Sequence, residues 1–535
     1  MSKAFGFLRK NFPGLAVLLV SFGVYLSTMP PTVSFWDCGE FITSAFGLQV
    51  PHPPGAPLYL ILGRVFALLA PSQDLVAWSV NFLSVVASAF TVFFVYRILL
   101  LLIEILDRKI GGEGISRIPA EISAVTGALL FAFMDSFWST AVEAEVYALS
   151  LFFASVTFWV FLRWYVHSET HARFFFLGVY LLGLSLGVHL LNLLLVPVFL
   201  LLYGWKRYGH RFSVTLLSLG GGLALTGLLF WGMVVNGLWP AGQLELLLVN
   251  GAGLCNHSGL VFWLVLLAGI HVLGLTLLKR KHKTIRFVLL VSSLIWMGWF
   301  SYALVPVRAS AHPPVNMNNP EHVFSLNDYI NRKQYGERPL LRGPHAWAEP
   351  ESWKESRQYH YDPHKERYVK STSGSTPGFD EQDLVWFPRM YSYRSPHPGG
   401  YQWWTGFDPS QGKPGIIHQF DFFLRYQMGH QYLRYLLWNF AGRQNDVQGH
   451  GDMTSGNWAT GINFLDRQFL GSQTYPTAVD QYSPSANFYF GIPLLLALVG
   501  LFFLLRRGTG RRRVLLILAL WVLMTGPAIV FYLNQ

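Results

Sequence analysis

The chain has 535 residues, of which 52% are hydrophobic and only 13% charged, with mean hydropathy +0.34. A water-soluble globular domain carries about 25% charged residues, so that class is excluded. The net charge of +11 does not mark a nucleic-acid binder, because the basic residues cluster in short gaps between apolar runs. These clusters are Arg108 and Lys109, Lys206 to Arg211, Lys279 to Arg286, and Arg506 to Arg513, the distribution of cytoplasmic loops.

The first apolar run, Phe12–Tyr25, follows Lys3, Arg9 and Lys10 and is followed by no small-residue cleavage site. It therefore reads as an anchor whose N-terminus is cytoplasmic. The next stretch, Pro57–Ala70, is short and contains Arg64. If it crossed, every later basic loop would fall on the wrong side, so a helix lying in the outer interface is expected there. The spans then fall at about 12–29, 78–104, 121–137, 148–166, 174–188, 191–204, 213–236, 258–278, 286–306, 487–505 and 514–533, eleven in all. The expectation is an all-α polytopic membrane protein in three parts. These are a transmembrane module over 1–306, a mixed extracytoplasmic domain over 307–486, and two C-terminal transmembrane helices over 487–535.

This threading leaves outer segments at about 30–77, 138–147, 237–257 and 307–486. In the first, Asp37 and Glu40 are three apart and share a face if helical; His52 opens a His-Pro-Pro-Gly turn. Asp37 is equally a candidate helix N-cap. The second holds Glu143 and Glu145, and His189 sits near the tip of a tight turn on the same side. Solvated loop carboxylates and a packed structural histidine are the plainer alternatives. Acidic groups from separate loops on one face nevertheless suggest one site, because charge at a membrane edge is costly and usually functional. Cys38 and Cys255 also fall on the outer side, where a disulfide is chemically allowed.

Within the last outer segment, the aromatic run Asp421–Phe440 is interrupted by Arg425, His430 and Arg434. It is expected to lie along the membrane surface. The polar stretch Gly442–Gly449 follows, with Arg443 and Asn445. Transfer of a sugar from a lipid phosphate needs a carboxylate to accept a proton from the acceptor hydroxyl, and cations or hydrogen-bond donors for the departing phosphate. Asp37 meets the first need, with Glu40 beside it. Arg308 and Arg443 are candidates for the second, each equally readable as an interface anchor. Asp37, Glu143 and Glu145 offer an oxygen cage to a divalent cation, although no cofactor is required by the spacing. No phosphate-binding loop and no dinucleotide fingerprint is present.

An acidic first outer loop, an interfacial helix and an acidic second outer turn resemble the GT-C glycosyltransferase superfamily. The segments FWDCGEFITSAFGLQVPHPPGAPLY, WSTAVEAEVYALSL, GLSLGVHLLNLL, YINRKQYGERPLL and LWNFAGRQNDVQG are similar to motifs of the transmembrane-protein-260-like protein O-mannosyltransferases. This resemblance implies transfer of mannose or a similar hexose from a polyprenyl-phosphate donor to Ser/Thr of an exported protein. By it Asp37 takes the place of the first-loop catalytic Asp, while Glu143 and Glu145 take that of the second-loop acidic pair. His52, His189, Arg308, Arg443 and Asn445 complete the candidate substrate-binding set. The separation of Asp37 and Glu40 departs from the adjacent Asp-Glu of ordinary O-mannosyltransferases and leaves the base open between the two. A lipid or glycan acceptor would use the same chemistry. A transporter or flippase would instead place charges near the bilayer midplane within inverted repeats.

Overall fold

Uninterrupted apolar sequence produces the longest helices. The computed structural model describes residues 2–107, 116–167, 172–279, 281–336, 338–471 and 485–534, with side chains from residue 11 onward. Arg108, Lys109 and Arg280 lie outside the described residues, as do the side chains of Lys3, Arg9 and Lys10. The helices of the N-terminal part are α1 (Ser2–Thr28), α2 (Cys38–Gly47), α3 (Pro57–Leu68), α4 (Val76–Asp107), α5 (Arg117–Ala132) and α6 (Asp135–Ala141). There follow α7 (Val146–His167), α8 (Ala172–Leu186), α9 (Val196–Tyr208), α10 (Phe212–Gly227) and α11 (Trp239–Glu245). The set closes with α12 (Ser258–Leu277), α13 (Lys283–Trp299), α14 (Leu304–Ala309) and α15 (Val323–Ile330). The 32 residues of α4 contain neither Gly nor Pro. In α3 and α9 proline stands in the first turn, where its missing N–H costs no hydrogen bond.

Among the described residues, eight helices are long and apolar enough to cross a membrane, or nine if Arg117–Ala132 and Asp135–Ala141 form one broken span. Two of the eleven expected spans correspond to shorter helices, Ala172–Leu186 of 15 residues and Ile492–Leu505 of 14. At 1.5 Å per residue these reach only about 20 Å against a hydrocarbon core of about 30 Å. The expected outer segment 237–257 is also largely helical, since after a turn at 236–238 the helix resumes and continues to Gly251. Both cysteines are free, Cys38 buried and Cys255 exposed.

The chain divides into two compact units: 1–132 with 138–336 and 357–372, and 133–137 with 337–356 and 373–535. This grouping puts 307–336 with the first unit and the last apolar helices with the second, rather than cutting at 306 and 486. In the first unit α4 is the central helix, packed by α1, α3, α5 and α7, while α8 pairs with α7 and α13. Where α8 crosses α13 the backbones nearly touch. A Cβ on Gly298 would lie 2.4 Å from the Gly183 carbonyl carbon, the close approach that small residues permit inside membranes.

In the second unit, Arg342–Pro344 pairs antiparallel with Leu384–Trp386, and Gly442–Arg443 with Asn487–Phe488. The expected aromatic run is helical from Ile416 to Trp438, passing through a wide turn over Phe423–Leu433. Of the three residues that interrupt its apolar pattern, Arg425 is exposed and pairs with Asp421, whereas His430 and Arg434 are buried. The His430 ring meets the Gly449 carbonyl at 3.0 Å and Arg434 donates to the Gly456 carbonyl at 2.9 Å. The C-terminal part of this helix thus turns His430 and Arg434 onto its own following loop.

Candidate functional site

One apolar cluster joins the two acidic loops of the first unit. Phe41, Ile42 and Ala45 of α2, Tyr59 and Leu60 of α3, Ala144 and Val146 of the second loop, and Val188 of the α8 turn share it. Burial of these residues contributes on the order of 1.5–3 kcal/mol for each large side chain, and it fixes the loops that carry the polar groups. Leu58 at the start of α3 also donates its N–H to the Gly187 carbonyl at 2.8 Å, which ties the His-Pro-Pro-Gly turn to the turn bearing His189.

Asp37 occupies the N-cap position of α2, yet its side chain makes no capping hydrogen bond. The exposed carboxylate is left for other work. Glu40, in the first turn, is committed: it accepts from the His52 backbone N–H at 2.8 Å and meets His52 Nδ1 at 2.6 Å. Burial pushes the Glu40 carboxyl up, but the His52 bonds and charge outweigh it and hold the group below its ordinary value. The bond from Glu40 correspondingly raises His52 against the opposing effect of burial. One ligating atom from each of Asp37, Glu40 and His52 lies within 4.8 Å of the others. Among the described residues this is the group whose ligating atoms come this close, where the expectation was Asp37, Glu143 and Glu145. A cation there would have to displace the Glu40–His52 bond.

The second loop closes onto the same place. Cys38, adjacent to Asp37, lies with its sulfur 3.9 Å from Glu143 Oε2, and burial first, then the Glu143 and Glu145 charges, push its thiol up to about 12. A protonated thiol is a donor to the carboxylate, which explains a buried cysteine at this point. Burial also raises Glu143, against bonds from Ser34 and Cys38. Glu145 is 9% exposed and is pushed up to about 7 by burial, with the negative charges of Asp37 and Glu143 adding to the effect. The structure thus brings Asp37, Glu40, His52, Glu143 and Glu145 into one electrostatic cluster.

His189 flanks this cluster through Tyr147, the two rings lying 5.7 Å apart. Burial, and then the charge of Arg332, push its imidazole well below its ordinary value, so it stands neutral. Arg308 does something other than wait for a phosphate. Its Nε and one terminal nitrogen donate to the carbonyls of Leu48 and Gly47 at 2.6 and 3.1 Å, satisfying the C-terminal end of α2. That end is about 15 Å along the helix axis from Asp37.

Arg443 and Asn445 belong to the second unit. Arg443 donates to the Ser485 carbonyl at 3.0 Å and stacks on Trp438. Asn445 is buried and organises its loop, donating to the Thr454 carbonyl and accepting from Gly456 and Val447 N–H. Sequence reasoning missed two residues of the first unit, Tyr147 and Arg332. Both lie in segments already singled out for their motifs, Tyr147 two positions after Glu145, but only long-range packing shows them close to the cluster.

These features define a polytopic helical membrane protein with an acidic site assembled from the loops between its helices. Residues 37–211, which begin at Asp37 and include every acidic and histidine member of the cluster, match the protein O-mannosyl-transferase TMEM260 N-terminal domain. Over that region the chain is similar to the TMEM260-like O-mannosyltransferases. It is 29% identical over 157 residues to the protein O-mannosyl-transferase tmem260 of Dictyostelium discoideum, a match covering 29% of this chain and 17% of that protein. It is 26% identical over 178 residues to the TMEM260 protein of Mus musculus, covering 32% and 22%. The matched stretch thus spans about a fifth of the length of these relatives. Residues 336–424 match a further family whose function is unknown. No solved structure matches the chain.

Proposed function

We propose that the protein transfers a hexose, mannose in the first instance, from a polyprenyl-phosphate sugar to Ser/Thr hydroxyls of exported proteins. The observation that carries this reading is the free Asp37 carboxylate, uncommitted to helix capping and set in an acidic cluster within the O-mannosyltransferase-type region. In the reaction the acceptor oxygen forms a bond to the anomeric carbon as the carbon–oxygen bond to phosphate breaks. The bonding pair leaves with the phosphate and the hydroxyl proton passes to Asp37. Phosphate departs without a proton donor, so a second acid is not needed. The Glu40–His52 pair holds the start of α2 in place, and Glu143 and Glu145 are suited to binding sugar hydroxyls. A first-loop helix pair packed beneath an acidic second loop supports a GT-C arrangement, and the basic loops elsewhere support an extracytoplasmic site.

The test is to incubate purified protein with polyprenyl-phosphate mannose and acceptor peptides and to identify products by mass spectrometry. Asp37→Asn should lose turnover by about 10²–10⁴-fold, with thermal stability unchanged because the side chain makes no cap. Near-normal turnover in that variant would move the base to Glu40.

A further inference from the structure

The acidic cluster contains three carboxylates outside the Glu40–His52 pair, yet the sugar donor of the proposed reaction is itself an anion. A compensating cation is required, and Arg308 is consumed by the end of α2. Arg332 remains. It follows α15, a helix latched to the first loop because Tyr329 donates its hydroxyl to the Pro51 carbonyl at 2.6 Å, next to His52. On its other side Asn331 donates to the Val235 carbonyl at 3.0 Å. Immediately after these two anchors the backbone of Arg332 is left-handed, with φ 56°.

The neighbouring Lys333 is ion-paired to Asp328. The exposed Arg332 guanidinium instead lies over the Tyr335 ring at 4.8 Å, a stacking that leaves its N–H edges free for a bidentate anion. Its charge acts on His189 and Tyr147, and Tyr147 in turn feels Asp37 and Glu145. The anion that fits this juxtaposition is a phosphate ester carried by a lipid.

Resting on the transferase reading above, we propose that Arg332 binds the phosphate of the lipid donor and steadies it as it leaves, beside the acidic cluster that handles sugar and acceptor. The residue touches substrate directly, whereas Arg308 acts only by positioning α2.

The experiment uses the full chain in lipid nanodiscs and measures equilibrium binding of a prenyl monophosphate against the corresponding prenyl alcohol. Arg332→Asn removes the charge with a residue that tolerates left-handed backbone, and Arg332→Lys retains a point charge. Wild type should prefer the phosphate, and Arg332→Asn should lose that preference by about ten- to a hundredfold while binding the alcohol unchanged. Arg332→Lys should fall in between. Wild-type phosphate binding by Arg332→Asn, or no phosphate preference in wild type, overturns the assignment. Equal displacement by inorganic phosphate at the same concentration also overturns it, since free phosphate would then be the ligand. Because the assay reads no sugar transfer, a phosphate preference in an inactive wild-type protein would sink the transferase reading and leave the Arg332 assignment standing.

Discussion

Glu145→Gln should stabilise the protein, and only at neutral to alkaline pH. The wild-type carboxyl is pushed from 4.5 to about 7 by burial and by the Asp37 and Glu143 charges. At 1.36 kcal/mol per pKa unit, ionising it in the folded state costs about 3 kcal/mol. Below pH 4.5 the group is protonated in both folded and unfolded chains, so wild type and variant should unfold together. As pH rises through 4.5 to 7 the unfolded chain ionises first, and wild type loses stability progressively. The variant does not, and its amide oxygen can still accept the Val146 N–H, now at 3.0 Å from Glu145. Thermal unfolding in detergent at several pH values between 4.5 and 8 should therefore show two curves that coincide at the acid end. They should separate by a few degrees at pH 8, the variant higher. A gap that is independent of pH, or a variant that unfolds earlier at pH 8, would refute the claim that this carboxyl is held in an unfavourable charged state.

Arg308→Ala should cost about 1–3 kcal/mol by orphaning the Gly47 and Leu48 carbonyls and should speed amide hydrogen exchange at residues 48–50. A variant of unchanged stability with weakened donor affinity would instead make Arg308 a phosphate ligand. Tyr59→Phe should leave thermal stability unchanged or raise it, because the Tyr59 hydroxyl is fully buried without a hydrogen-bond partner and removing it relieves a desolvation penalty. A clear loss of stability would reveal a partner for that hydroxyl. Gly298→Leu should prevent normal assembly of the first unit, since its side chain would collide with the Gly183–Leu184 backbone; wild-type yield and unfolding temperature in that variant would exclude a tight α8–α13 crossing.

Much of the architecture is legible in the sequence because hydrocarbon imposes a length and a polarity that few other environments do. The run that becomes α4 needs no further information. Alternation of basic and acidic loops suffices to bring Asp37, Glu143 and Glu145 to one side, and packing then unites them. What escaped reading depended on distant partners. Arg308 looks like any arginine at a helix end until the carbonyls of Gly47 and Leu48, 261 and 260 residues away, are found beneath it. Arg332 and Lys333 stand side by side in the sequence, and the structure pairs Lys333 with Asp328 while stacking Arg332 on Tyr335. His430 and Arg434 are polar letters in an apolar pattern, which suggests solvent, yet backbone carbonyls of the following loop bury them. Two expected spans meet shorter helices because hydropathy reports composition before it reports where a helix stops after Leu186 or starts after Gly491.

The first loop is stitched to a segment made far later: Val50 donates its N–H to the Val315 carbonyl at 3.0 Å, Gln49 accepts from Val315 N–H across 266 residues, and Tyr329 reaches Pro51. At ribosomal rates of about 5–20 residues per second, the loop bearing Asp37 emerges roughly 10–50 s before the segment that bonds to it. During that interval the groups of Gln49, Val50 and Pro51 that bond to residues 315–329 have no partner from that segment. A synthesis stalled short of residue 315 would leave the first loop without any of these bonds.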